Sequence, residues 1–197
     1  LVDGGPGVSV ANGSVALAGG QLVFTPEPGF SGNVPAFTYT VSAGGATESG
    51  SVNVTVVATP SVDTVSSPTA TEGAALVYTV TLSHASPGVT TQPFTLGGGT
   101  ASAGDYGALS FSNGVTVSGG NLVIPAGVAS FSVTVAGVQD SLDEADETVP
   151  LPVGGVTGTG TVQDDDATPT LSVADMAVNE AAGTVTFTVT LSARPGR

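Results

Sequence analysis

Apolar and polar residues alternate with a period of two along most of the chain, which is the spacing of β-strands with one buried face. The alternation is clearest at 36–41 and at 76–82, and glycine, proline and Asn-Gly pairs separate such runs at short intervals. The sequence shows no helical periodicity. This pattern predicts an all-β chain of tandem immunoglobulin-like β-sandwich modules. The predicted strands are 14–17, 21–24, 36–41, 51–56, 76–82, 91–96, 108–111, 121–124, 130–138, 148–153 and 157–162.

A repeat at a fixed offset divides the chain. Ala58-Thr59-Pro60 recurs as Ala167-Thr168-Pro169, and Thr79-Val80-Thr81-Leu82-Ser83 recurs as Thr188-Val189-Thr190-Leu191-Ser192, in both cases 109 residues later. Self-similarity of this kind is typical of tandem arrays. The predicted parts are the C-terminal part of one sandwich at 1–57, a complete sandwich at 58–166 and the truncated start of a second copy at 167–197.

The charge of the chain limits the kinds of partner that it can bind. It carries 16 acidic residues against two basic ones, Arg194 and Arg197, so its formal net charge is −14. Nothing here could neutralise nucleic-acid phosphates, and we expect neither nucleic acid nor direct membrane insertion. The chain has no cysteine, and in a secreted protein bound metal is one replacement for missing disulfides. It opens on Leu1 without a signal peptide, which fits an excerpt from a longer protein.

Half of the acidic residues fall in two short runs, at 140–147 and at 164–166. The segment between them reads as two strands joined at Gly154-Gly155, and strands joined in this way are antiparallel. The two runs are therefore expected to converge at one end of a sheet. Converging carboxylates repel one another unless protons or cations intervene, and calcium suits flexible, carboxylate-rich loops. We predict a calcium site, the alternative being that these acids only keep the protein soluble and monomeric.

The first part of the chain resembles a known module. The segments 22–26, 29–32 and 37–42 are similar to the C-terminal part of bacterial cadherin-like, immunoglobulin-like repeats. The resemblance implies that 1–57 lacks the first strands of such a module.

The middle part resembles the Calx-beta domain over essentially all of 61–166, with four motifs in the order and at the spacing of that family. The motifs are Thr71-Glu72-Gly73, then Gly99-Thr100-Ala101 with Gly104-Asp105-Tyr106, then Asp140, Glu144 and Asp146-Glu147-Thr148, and lastly Gly160-Thr161-Val162-Gln163-Asp164-Asp165-Asp166. The resemblance implies an immunoglobulin-like sandwich that binds several calcium ions at one end. It also implies that 167–197 begins a second Calx-beta copy.

The ligands implied by the resemblance are seven carboxylates. They are Glu72, Asp105, Asp140, Glu144, Asp164, Asp165 and Asp166. The family often carries a further acid before Asp140, where this chain has Gln139, which puts one calcium site in doubt. Glu147 matches the motif but could equally be a surface residue, and Glu180 mirrors Glu72 without the other ligands.

Other chemistry is weakly represented, and we expect no catalytic residues and no enzyme activity. The single histidine, His84, lies in a polar turn, where a nucleophilic triad would need a supporting cleft. An EF-hand is excluded because the sixth position counted from Asp140 is Ala145 rather than glycine. Calcium is the only cofactor we expect.

Together these features predict a calcium-stiffened spacer that is extracellular or on the bacterial cell surface. We expect it to be monomeric and to contact neighbouring repeats of the same chain. Tandem modules of this kind, acidic and without cysteine, resemble the extender regions of large type I-secreted (RTX-type) adhesins. Two alternatives stay open: the calcium-sensing regulatory module of a membrane ion exchanger, and an accessory stalk or carbohydrate-binding module of a secreted hydrolase.

Overall fold

The computed structural model describes residues 1–193, and it is all-β, as the alternation predicted. Within those residues the only helical element is a single 3-10 turn, Glu180–Ala182. The chain divides into two compact units, Leu1–Thr59 and Pro60–Arg197. The last four residues of the predicted truncated repeat, 194–197, lie outside the described part.

The first unit consists of a three-stranded antiparallel sheet and a long hairpin. Val15 and Val34 are its most buried side chains, and the rings of Phe24 and Phe37 stack with their centroids 6.4 Å apart. The sheet has the order β1-β2-β3, and β4 pairs with β5. The strands are β1 (Val8–Val10), β2 (Gly13–Ala18), β3 (Gln21–Pro26), β4 (Gly32–Ala43) and β5 (Ala46–Val56).

Ten strands precede Asp164 in the second unit, against about seven predicted. The additional ones are short, and a three-residue strand is too brief to show an alternating pattern. The strands are β6 (Val62–Val65), β7 (Thr69–Thr71), β8 (Leu76–Leu82), β9 (Thr90–Pro93), β10 (Tyr106–Phe111), β11 (Thr116–Ser118), β12 (Asn121–Ile124), β13 (Ser130–Gly137), β14 (Glu147–Val153) and β15 (Val156–Gln163).

These strands form two layers. One sheet has the order β10-β13-β8-β6, and the other contains β14-β15-β7 and β11-β12-β9. The last two groups are joined where residues 93–101 run along β14, through hydrogen bonds such as Thr95 N to Pro152 O at 3.2 Å and Gly97 N to Pro150 O at 3.0 Å. Strand β9 therefore ends earlier than predicted, although its chain continues beside the sheet.

The core of the second unit lies between the two layers. The inward residues of β8, which are Leu76, Tyr78, Val80 and Leu82, are all buried, as the alternation predicted. The hydroxyl of Tyr78 donates a hydrogen bond to the carbonyl of Val149, which ties β8 to β14 across the core. These contacts hold the two layers together through the core.

The last described residues repeat the start of the second unit in three dimensions. Strands β16 (Leu171–Val173) and β17 (Val189–Leu191) pair with Leu171 opposite Leu191, while β6 and β8 pair with Val62 opposite Leu82, 109 residues earlier. The backbone bond from Ser83 N to Ser61 O recurs from Ser192 N to Thr170 O. The first residue pair and this backbone bond therefore recur in the second copy, whereas the register shift between Val62 and Thr64 in β6 has no counterpart in β16.

The two copies differ in what covers them. Tyr78 is 0 % exposed, whereas Phe187, which stands at the corresponding position, is 56 % exposed. In the described part of the chain, β16 and β17 pair only with each other. In the described residues β16 and β17 therefore form an exposed two-stranded sheet and not a second packed sandwich.

Candidate metal site

The topology brings four separate segments to one end of the second unit. The β14–β15 hairpin pairs Glu147 with Val162, so the residues that precede β14 lie beside those that follow β15. Strand β7 runs parallel to β15, and Glu72 N donates to Gln163 O at 2.9 Å. Asp105 directly precedes β10, and its carbonyl accepts from Val138 N at 3.0 Å, beside the loop that follows β13. We call this end the acidic pole; it consists of Glu72, Asp105, Asp140, Glu144, Glu147, Asp164, Asp165 and Asp166.

Three groups of carboxylates at the acidic pole each have one oxygen per residue within 4.8 Å of the others. Because neighbouring groups share Glu72 or Glu144, they form one continuous cluster. Carboxylates that are shared in this way can bridge adjacent cations. The groups are Glu72 with Asp140 and Glu144, Glu72 with Asp164 and Asp166, and Asp105 with Glu144 and Glu147.

Six of the seven predicted ligands belong to these groups, and Asp165 does not. Its side chain is exposed, and its Oδ1 accepts a hydrogen bond from Gln139 Nε2 at 2.9 Å. Glu147 belongs to a group although the sequence left it between ligand and surface residue. It is the first residue of β14 and is partly buried, whereas its neighbour Asp146 is exposed.

Two carboxylate oxygens at the acidic pole are buried without a hydrogen-bond partner in the described structure, Asp164 Oδ1 and Asp166 Oδ2. A buried carboxylate oxygen without a donor carries an uncompensated cost of desolvation. A bound cation would remove that cost. The arrangement of these oxygens is therefore expected to be more stable with a cation bound than without one.

Local hydrogen bonds shape the loops that carry these side chains. Asp140 Oδ1 accepts from Leu142 N at 2.8 Å, and Asp105 Oδ2 accepts from Ser102 N, so each side chain closes its own loop. In the segment after β15, Thr168 Oγ1 donates to Asp143 Oδ1 at 3.2 Å. The residues that follow the second acidic run are thus hydrogen-bonded to the first run, in addition to the connection of the two runs through the hairpin.

Burial and mutual repulsion raise the pKa of several of these carboxyl groups. For Glu72, Glu144 and Asp166, desolvation is the largest cause, followed by the neighbouring carboxylates. The largest shift is at Glu147, where burial, a hydrogen bond with Asp105 and the charges of nearby acids raise the pKa to about 7. All these shifts disfavour the charged forms, so the metal-free pole holds protons more tightly than free carboxyl groups do.

We expect the melting temperature of the second unit in chelator to fall as the pH rises from 4.5 towards 7. Between its ordinary pKa of 4.5 and the value of about 7 in the fold, Glu147 is more protonated in the folded than in the unfolded chain. Stability is therefore highest at the low end of this window and is lost as the proton leaves. Thermal melts across the window, with Glu147→Gln for comparison, check this. A wild-type slope no steeper than that of the variant would contradict it.

Other features of the described residues offer less chemistry. His84 Nδ1 lies 3.0 Å from Ala85 O in an exposed turn. A cleft of about 430 Å³ in the first unit is lined largely by apolar side chains such as Val10, Leu17 and Phe37, without an acidic or histidine side chain. Of the residues 1–193, none forms a helix that is long and apolar enough to cross a membrane.

Comparison with known proteins finds one family match, in the first unit. Residues 2–55 match the family model of the bacterial Ig domain, which supports an immunoglobulin-like repeat in this part of the chain. The chain as a whole is an all-β protein of tandem β-sandwich modules. The match does not extend into 58–166, where the Calx-beta resemblance stays a prediction. No curated protein matches the chain.

Several solved structures are similar to this chain at low sequence identity and low TM-score. Domains 4–9 of the surface layer protein SbsC are 19 % identical with a TM-score of 0.38 over 91 % of this chain, which spans 26 % of that structure. Domains 4 and 5 of SbsC are 16 % identical with a TM-score of 0.34, covering 80 % of this chain and 94 % of theirs. The sixth cohesin of scaffoldin B from Acetivibrio cellulolyticus, solved with a Cel5 dockerin, is 14 % identical with a TM-score of 0.27, covering 55 % of this chain and 100 % of its own. At these values the likenesses carry no argument about function.

Proposed function

We propose that the acidic pole binds calcium and that the second unit is a calcium-stiffened spacer of a bacterial surface or secreted repeat protein. One observation carries the proposal: carboxylate oxygens lie within 4.8 Å of one another in each of three groups, and these groups share Glu72 or Glu144 and together draw on four segments of the chain. The partnerless oxygens of Asp164 and Asp166 support it. The partners proposed are calcium ions and neighbouring repeats, with the chain otherwise monomeric and without enzyme activity.

Calcium is favoured over other cations by the donor set. The groups contain only carboxylate oxygens, which favour hard cations over metals that prefer nitrogen or sulfur. Calcium accepts six to eight oxygen ligands in irregular geometry, whereas magnesium demands a near-octahedral arrangement and keeps several waters. Several of the carboxylates lie in the loops 140–146 and 164–168, outside the helices and strands, and flexible carboxylate-rich loops suit calcium better than magnesium. The residues that would hold calcium are therefore those of the three groups.

An ion at this pole would join the two layers of the sandwich. Asp140 and Glu144 follow β13 of one sheet, whereas Glu72 follows β7 and Asp164 follows β15 of the other. In the metal-free protein the repulsion between these carboxylates acts to separate the layers at this end. A bound cation reverses the sign of that interaction and fixes the loops. Calcium would therefore stiffen the second unit by linking its two sheets at this end.

The position of the pole fits a spacer. Asp164, Asp165 and Asp166 directly precede the opening of the next repeat, and Thr168 contacts Asp143 across the junction. An ion held by Asp164 and Asp166 would therefore also order the segment that leads into that repeat. The absence of cysteine and the net charge of −14 fit an extracellular module that is ordered by metal instead of disulfides.

We expect Asp164→Asn to weaken calcium binding by roughly tenfold or more, because it removes a charge from a group that also contains Glu72 and Asp166. Glu48→Gln is the matched control, because this substitution removes the same charge from a residue on β5 of the first unit. Calorimetric titration of the full chain with calcium provides the measurement. Absence of calcium binding in the wild-type chain, or equal losses in both variants, would overturn the proposed site.

A further inference from the structure

Gln139 is an uncharged residue that is hydrogen-bonded to two carboxylates of the acidic pole. Its Nε2 lies 3.2 Å from Glu72 Oε2, 2.9 Å from Asp165 Oδ1 and 3.4 Å from the carbonyl oxygen of Asp140. The amide nitrogen therefore points at acceptors on three segments: the residue after β7, the segment after β15 and its own loop. The Gln139 side chain also packs against the backbone of the turn between β7 and β8.

The packing contact is made with Gly73. A methyl group at Gly73 would lie 2.9 Å from Gln139 Oε1 and 3.1 Å from Gln139 Cβ, so the glutamine packs directly on the bare glycine. Gly73 also has a φ of +70°, which favours glycine, and its N–H donates to Val138 O at 3.2 Å. The turn and the end of β13 are thus tied together, and the carboxamide is held where its N–H groups reach the two carboxylates.

We propose that the Gln139 carboxamide is a positioning group that takes the place of one cation between Glu72 and Asp165. This inference rests on the calcium site proposed above and concerns how that site is limited. An amide N–H that bonds to a carboxylate forms a charge-assisted hydrogen bond, which is stronger than one between neutral groups. Gln139 therefore holds Glu72 and Asp165 together in the absence of metal, and it reduces the number of ions that the pole binds by one.

The proposal also explains the position of Asp165. Asp165 lies outside all three carboxylate groups although it stands between Asp164 and Asp166, which belong to one of them. Its oxygen is directed to the amide of Gln139 instead. A carboxylate at position 139 would offer no donor to Glu72 or Asp165. It would create a new acidic group that requires a proton or a cation to hold it together.

Two substitutions separate the donor from the charge, and a third controls for the added charge. Gln139→Met removes the amide at nearly constant size, and Gln139→Glu removes the donor and adds a carboxylate. Gln163→Glu adds the same charge at the last residue of β15, next to Asp164. The side chain of Gln163 is exposed, and among residues 1–193 it takes part in none of the hydrogen bonds of the acidic pole. All three are made in the full chain and melted in chelator and in millimolar calcium.

In chelator we expect Gln139→Glu to lower the melting temperature of the second unit by roughly 10 °C, Gln139→Met to lower it by less, and Gln163→Glu to change it little. In calcium, Gln139→Glu should recover to the wild-type value or above, and calorimetric titration should count one more ion than in the wild type. Gln139→Met should keep its deficit, because it has neither donor nor ligand.

The outcomes distinguish this proposal from the proposed function. If the wild-type chain binds no calcium, the proposed function fails, and the melts in chelator still decide whether Gln139 holds the two carboxylates together. Equal melting temperatures of Gln139→Glu and Gln163→Glu in chelator would overturn that role. Calcium binding in the wild type with an unchanged ion count in Gln139→Glu would overturn the claim that the amide replaces an ion.

Discussion

Calcium at a hundredfold excess over its dissociation constant is expected to raise the melting temperature of the second unit by roughly 20 °C. An ion that binds only the folded chain stabilises it by about 2.7 kcal/mol per site at this excess, and two sites give ~5 kcal/mol. That is comparable with the whole stability of a modest domain. The effect should be large because the metal-free pole combines crowded carboxylates with the partnerless oxygens of Asp164 and Asp166.

Differential scanning calorimetry of the full chain in chelator, in calcium and in magnesium provides the measurement. The unit Leu1–Thr59 is an internal control, because none of its residues belongs to a carboxylate group. Magnesium should shift the second unit much less, since it tolerates irregular carboxylate cages poorly. A calcium shift below ~3 °C, less than one kcal/mol for a domain of this size, would contradict the calcium-stiffened spacer, as would an equal shift with magnesium.

Gly158→Ala is expected to destabilise the second unit by about 3 kcal/mol and to lower its melting temperature by roughly 12 °C. Gly158 lies on β15, beside the end of β6 and the residue that follows it. An added methyl group would overlap the carbonyl oxygen of Ser66 and lie 2.7 Å from Val65 Cγ1. Ser66 has little freedom to move away, because its N–H bonds to Thr79 O at 2.9 Å and its Oγ accepts from Thr79 N at 2.7 Å.

Gly107→Ala is the matched control for this prediction. Gly107 lies on β10, and the nearest atom to an added methyl group there is 3.9 Å away, on Ala136. We expect this variant to be neutral or slightly more stable, because alanine restricts the unfolded chain more than glycine does. Thermal melts of both variants in calcium check the pair. Similar melting temperatures would mean that the layers adjust to each other more freely than the packing indicates.

The longer strands follow from local pattern. Strand β8 was predicted with the correct bounds because its large apolar residues Leu76, Tyr78, Val80 and Leu82 recur at every second position and form its buried face. The positions between them are Val77, Thr79 and Thr81. Strands β7 and β11 were not predicted. Each has three residues, and β7 is held as a strand by its parallel pairing with β15, which the sequence does not display.

The convergence of the acidic runs also follows from the sequence. A Gly-Gly turn between two apolar strands requires an antiparallel hairpin, so the residues at its two open ends meet. Which carboxylates then face one another depends on side-chain positions that differ between adjacent residues. Glu147 and Asp146 have the same chemistry and are sequence neighbours, but only Glu147 has an oxygen within one of the groups.

The sequence by itself determined the all-β class, the 109-residue repeat and the end of the sandwich at which the acidic residues gather, because strand alternation, turn residues and charge runs are local properties. Only the tertiary structure decided that Asp165 bonds to an amide rather than joining a carboxylate group, and that Gln139 lies between two acids on separate segments. These contacts join residues 26 to 67 positions apart, and they arise from the packing of the two layers and the bare backbone at Gly73. No local pattern encodes them, since each contact depends on how both segments are placed by the rest of the fold.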